Sequence, residues 1–130
     1  MIKKQLLQVL TSLPDNTPIT ATFCFGRNYD SEHNSAITSI SVIEDKDETL
    51  TAVICAKEVT ESDPSMGKGT IETILAIIPD EAKVVARYTF VNKYNVTYEC
   101  YIEGISLNLD KEQRLTATLR LYEKPDKKAA

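Results

Sequence analysis

The sequence predicts an α+β fold made by tandem duplication of an α-β-β-β unit, each a three-stranded antiparallel meander with one covering helix, the two packed as a pseudo-twofold body. Three observations lead there. Leu13-Pro14-Asp15 returns as Ile78-Pro79-Asp80, an offset of 65 in a chain of 130 residues. The same ungapped register sets Leu10 on Leu75, Ala21 on Ala86, Phe25 on Phe90, Tyr29 on Tyr94, Ile40-Ser41 on Ile105-Ser106 and Leu50-Thr51-Ala52 on Leu115-Thr116-Ala117, and a fixed period of this kind is the signature of a repeat. Within each half, an apolar stripe of helical period precedes three stretches of period-2 alternation.

The first helix is read from Ile2, Leu6, Val9, Leu10 and Leu13, which recur three and four residues apart and draw one apolar face. Pro14 ends it, and Asp15-Asn16-Thr17-Pro18 supplies turn chemistry. Ile71, Ile74, Leu75 and Ile78 repeat the stripe, with Thr70 the expected N-cap. Ile19, Ala21, Phe23 and Phe25 alternate with polar residues as a first strand, matched by Val84, Ala86, Tyr88 and Phe90. Middle strands place Ile40 and Val42, or Ile105, Leu107 and Leu109, on the inner face. Ile37 and Ile102 fall out of phase with them and mark a bulge. Leu50, Ala52 and Ile54, then Leu115, Ala117, Leu119 and Leu121, form the third strands. The expected boundaries are 1–58 for the first repeat, 59–65 for a linker, 66–123 for the second repeat and 124–130 for a polar tail. A unit of this size is marginal alone, which favours two copies packed as one body.

At 42% hydrophobic and 26% charged residues, the chain has the composition of a folded domain. The net charge of −4 disfavours nucleic-acid binding through a broadly basic surface. That charge is uneven: residues 1–65 hold 5 basic and 10 acidic side chains, net −5, and residues 66–130 hold 10 basic and 9 acidic, net +1. Apolar runs are far shorter than the roughly 20 residues of a membrane helix. Gln5, Gln8 and Thr11 interrupt any signal-peptide core. Cys24, Cys55 and Cys100 form no Cys-x-x-Cys pair and read as free thiols of a cytoplasmic protein.

No catalytic, metal-binding or cofactor constellation emerges. Asp30, Ser31 and His33 share one loop, where adjacent residues seldom reach triad geometry. Asp30, Glu32 and His33 lack a second ligand cluster. Asp45, Asp47 and Glu48 lack the glycine and terminal glutamate of a calcium loop. Binding candidates come from positions where the halves differ. Period-2 counting puts Arg87, Arg114, Arg120 and Tyr122 on the outer face of the second half, where the first half carries mainly Thr and Cys. Arg and Tyr are the residues that most often carry interface energy, and clustered Arg also suits phosphate or carboxylate groups; a solvated sheet face explains the same pattern. Tyr98 and Tyr101 have His33 and Ala36 as counterparts and are read as partner-facing or as a cross-strand packing pair.

An amphipathic helix closed by Leu13-Pro14-Asp15-Asn16-Thr17-Pro18-Ile19 and followed by alternating strands resembles small accessory proteins of bacteriophages and mobile elements, which carry a helix, a Leu-Pro-Asp turn and a β-meander. The resemblance covers the first helix and strand of each half and transfers no catalytic residue. It implies an accessory protein that binds and blocks a host factor. The leading expectation is therefore a non-catalytic binding protein, of the kind that inhibits a host defence protein. The alternative is sequestration of a small anionic ligand or signalling nucleotide at the Arg and Tyr face or between the repeats. An enzyme of unknown class ranks third. A homodimer through exposed sheet is also compatible with the pattern.

Overall fold

The computed structural model describes residues 1–24, 32–58, 65–90, 96–109 and 111–123. Its elements run α1 (Lys3–Thr11), β1 (Ile19–Cys24), β2 (Glu32–Glu44), β3 (Leu50–Glu58), α2 (Lys68–Ala76), β4 (Lys83–Thr89), β5 (Thr97–Leu109) and β6 (Leu115–Glu123). Gln5 accepts a hydrogen bond from the Ile2 N–H at 3.1 Å and so caps α1. Pro14 stops the chain from continuing as helix, and its carbonyl accepts from both the backbone and the hydroxyl of Thr17. The N-cap of α2 is Gly67 and not Thr70, which lies inside the helix.

The expected tandem duplication of two meanders, each under its own covering helix and packed as a pseudo-twofold body, is not what forms. The six strands close into one mixed barrel in the order β1-β2-β3-β4-β5-β6. Hairpin partners pair antiparallel, whereas β3 pairs parallel with β4 and β6 pairs parallel with β1. The physical reason is the edge problem. A three-stranded meander leaves two strands with unpaired backbone groups, and closure through the two parallel seams satisfies them. Thr20 and Thr118 sit in register across the β1–β6 seam, their hydroxyls 3.1 Å apart.

Inward positions are fully buried and include Ala21, Phe23, Ile54, Ala86, Leu119 and Leu121. Because a barrel of six strands has a narrow interior, Ala21, Ala52, Ala86 and Ala117 at inward positions keep it from overfilling. β1 and β4 run in the same direction, so both helices lead into the same end of the barrel. There Leu6, Leu10, Ile71 and Leu75 join the strands in a single core, and α1 packs against α2. Each helix also clamps the turn that follows the other. Lys3 of α1, nearly buried, meets Asp80 at 2.9 Å, and Lys68 of α2 bonds Glu72 and faces Asp15 at 3.7 Å. The Lys3 ammonium holds the Asp80 carboxyl below its ordinary range, by hydrogen bond first and by charge second.

Bulges occur where the sequence phase breaks, between Ile37 and Ser39 and between Ile102 and Gly104. Beyond them β2 and β5 run on as long arms toward the β2–β3 and β5–β6 turns. Val42, Leu107 and Leu109 were expected on a covered inner face, yet they are exposed because these arms outrun the core. Asp30, Ser31, Tyr94, the His33 and Cys24 side chains, and segments 59–64 and 124–130 lie outside the described residues. No described helix is long and apolar enough to cross a membrane.

Candidate binding surface

The outer wall of β4, β5 and β6 carries most of the residues singled out from sequence. Strand register aligns Val53, Val85, Tyr101 and Tyr122 in one row across four strands. Tyr101 and Tyr122 stack with ring centroids 6.0 Å apart and planes 18° apart, an offset arrangement that aromatic pairs favour. The Arg120 guanidinium donates to the Tyr122 hydroxyl at 3.3 Å and fixes the end of the stack. One strand over, Arg87 bonds Glu99 through Nε at 2.7 Å. Tyr101 nonetheless stays 40% exposed. The wall therefore presents aromatic and guanidinium groups held in contact with their neighbours.

Val53, at the far end of this row, was not singled out from the sequence and is covered. It faces outward between inward Ala52 and Ile54, yet only 2% of it is exposed. The available signal was an apolar residue at an outer position flanked by Thr51 and Cys55. Thr22, opposite Arg120 across the seam, is likewise buried on the outer face.

The remaining candidates go elsewhere. Tyr98 turns inward and packs against Phe23 at 5.5 Å and Phe90 at 5.7 Å. Arg114 sits in the β5–β6 turn, paired with Glu112 at 3.2 Å, six residues or about 20 Å along β6 from Arg120. Arg114 joins Pro14, Asn16, Thr17, Pro18 and Leu115 around a shallow groove of about 420 Å³, away from the stacked tyrosines. Thus Arg87, Arg114 and Arg120 do not converge on one anion.

Inside the barrel, Phe23, Tyr88 and Phe90 pack with centroids 4.8 to 5.5 Å apart. The Tyr88 hydroxyl is buried with no hydrogen-bond partner among the described residues. Its phenol is pushed up to about 12 by burial first and then by the Glu58 carboxylate, with a side-chain hydrogen-bonding contact to Ser35 acting the other way, a contact too poor in geometry to satisfy the buried hydroxyl. Ser35 spends its own hydroxyl hydrogen on the Ala21 carbonyl at 2.8 Å. Among the described residues, no three His, Cys, Asp or Glu side chains group to hold a metal ion.

Comparison with family models, with curated proteins and with solved structures finds no match to this chain.

Proposed function

We propose that the chain is a non-catalytic binding protein that docks a protein partner on the outer wall of β4, β5 and β6. The observation that carries this reading is the Tyr101–Tyr122 stack, tied down by Arg120 and left half-open to solvent beside Val85. Tyr and Arg side chains around an apolar row have the composition of an interface hot spot. A convex barrel wall suits another protein's surface better than it suits a small molecule, which binds in concave sites. Following the resemblance to phage accessory proteins, the partner proposed is a bacterial defence protein, met in the cytoplasm, where Cys55 and Cys100 stay reduced. The test compares the wild type with Tyr101→Ala/Arg120→Ala as bait in bacterial lysate, after circular dichroism shows that both are folded. A stoichiometric partner captured by the wild type and lost by the variant is expected. No partner, or equal capture by both, overturns the reading.

One observation favours a second reading, that the groove at Pro14–Pro18 takes a small anion, since Arg114 stands at its edge beside Asn16 and Thr17. Thermal-shift assays with phosphate and nucleotides test it, with stabilisation lost in Arg114→Ala. Absence of any stabilisation removes it.

A further inference from the structure

Barrel closure is incomplete along two stretches of strand. β4 pairs with β5 only as far as Tyr101, after which β5 continues through Leu109 with β6 as its single neighbour. Among the described residues, no backbone group from 103 to 109 bonds to anything but β6. β2 repeats the arrangement, since its pairing with β1 stops at Ser35 and residues 38–44 have β3 alone. Such edges carry a row of unspent donors and acceptors that template another strand. These edges are also apolar. Leu107 is 51% exposed and Leu109 61%, against 43% for Val42 on the β2 arm.

We infer that the β5 edge, Glu103 to Leu109, pairs antiparallel with the same edge of a second copy of this chain. Charge selects both the edge and the register. The β2 arm ends in Glu44, Asp45, Lys46, Asp47 and Glu48, net −3, so two copies meeting there repel, whereas Lys111, Glu112 and Arg114 in the β5–β6 turn sum to +1 and do not build up negative charge. Pairing β5 of one copy with β2 of the other, each edge matched over its full length, sets Glu103 opposite Glu44, a like-charge pair that destabilises a sheet. Pairing β5 with itself about Ser106 places no like charges opposite one another. It sets Ile105 of each copy opposite Leu107 of the other, on the side of the arm that Ala117 and Leu119 already make apolar. The isologous contact closes after two copies and leaves no open end.

Sedimentation equilibrium on the full chain tests this, with Leu107→Lys and Val42→Lys as variants and circular dichroism verifying their fold. A second measurement, independent of those variants, is peptide mapping of Ser106→Cys, in which the introduced cysteines lie opposite one another across the twofold axis. The wild type is expected to dimerise. Leu107→Lys should weaken the dimer at least about tenfold, as for an interface hot spot, and Val42→Lys should leave it unchanged. Ser106→Cys should form a disulfide between two copies. A monomeric wild type, or a dimer that Val42→Lys breaks and Leu107→Lys spares, overturns the proposal.

Discussion

Replacing Tyr88 with phenylalanine removes one hydroxyl from the barrel interior and leaves the ring packed against Phe23 and Phe90. In the wild type that hydroxyl is buried with no hydrogen-bond partner among the described residues, a state that costs about 1–3 kcal/mol relative to hydration. Taking the lower end, Tyr88→Phe should stabilise the fold by about 1 kcal/mol. An unfolding entropy of about 2.1 cal/mol/K per residue, over 130 residues, turns this into a rise in Tm of about 4 °C. Thermal and urea denaturation followed by circular dichroism measure it, with the urea slope unchanged. A pH series adds a second readout. The Tyr88 phenol titrates near 12 in the fold and near 10 when unfolded. A raised pKa gives stability that is complete below pH 10 and is lost as pH climbs toward 12, because the unfolded chain ionises first. The wild type should therefore lose stability above pH 10 more steeply than Tyr88→Phe. A variant destabilised by 1 kcal/mol or more, the size of a typical net hydrogen bond, would show that the hydroxyl has a partner in solution, and the reasoning fails.

Three further outcomes are expected. Leu119→Ala empties a fully buried position on β6 and should cost about 2–5 kcal/mol in urea unfolding; a loss under 1 kcal/mol would mean the interior is loosely filled. Glu48 and Gln113 stand in the β2–β3 and β5–β6 turns at φ 66° and 64°, where glycine carries no Cβ penalty. Glu48→Gly and Gln113→Gly should each raise stability by about 0.5–1 kcal/mol, and a lowered Tm in both refutes the turn geometry. Asp80, held below its ordinary range by Lys3, contributes stability that is present above the unfolded carboxylate pKa and lost as pH falls through the lower folded value. Asp80→Asn should flatten the acid limb of the stability curve, and an unchanged acid limb contradicts the clamp.

Local structure was legible in the sequence because its causes are local. The Leu6 and Leu10 stripe, the Pro14 stop, the alternation through Ala21 and Phe23 and the bulge at Ile102 each follow from backbone geometry and burial along a few residues. Closure was not legible. Period-2 alternation tells which side of a strand is buried but not which strand lies beside it, so the parallel β3–β4 and β6–β1 seams left no mark that two separate meanders would lack. The reach of the arms was hidden for the same reason. Leu107 alternates correctly, yet it stands past the point where the helices fill the barrel. At the candidate surface, Tyr98 and Tyr101 could have been separated by parity alone, since residues three apart on a strand face opposite sides and the bulge comes only after Tyr101. Thr70 is the stronger capping residue by type, but the helix starts earlier, where Lys68 is drawn toward Glu72 and Asp15.

The most direct test of the closed barrel is a disulfide across its final seam. Thr20→Cys/Thr118→Cys, in a chain whose native cysteines are replaced by alanine, places two thiols at register partners whose native hydroxyls lie 3.1 Å apart. Spontaneous oxidation under native conditions, mapped by peptide mass spectrometry, is the expected result. Closing a span of 98 residues should add up to about 4–5 kcal/mol to the stability of the oxidised form. Two free thiols in the folded protein, with no cross-link even in mild oxidant, would contradict the barrel.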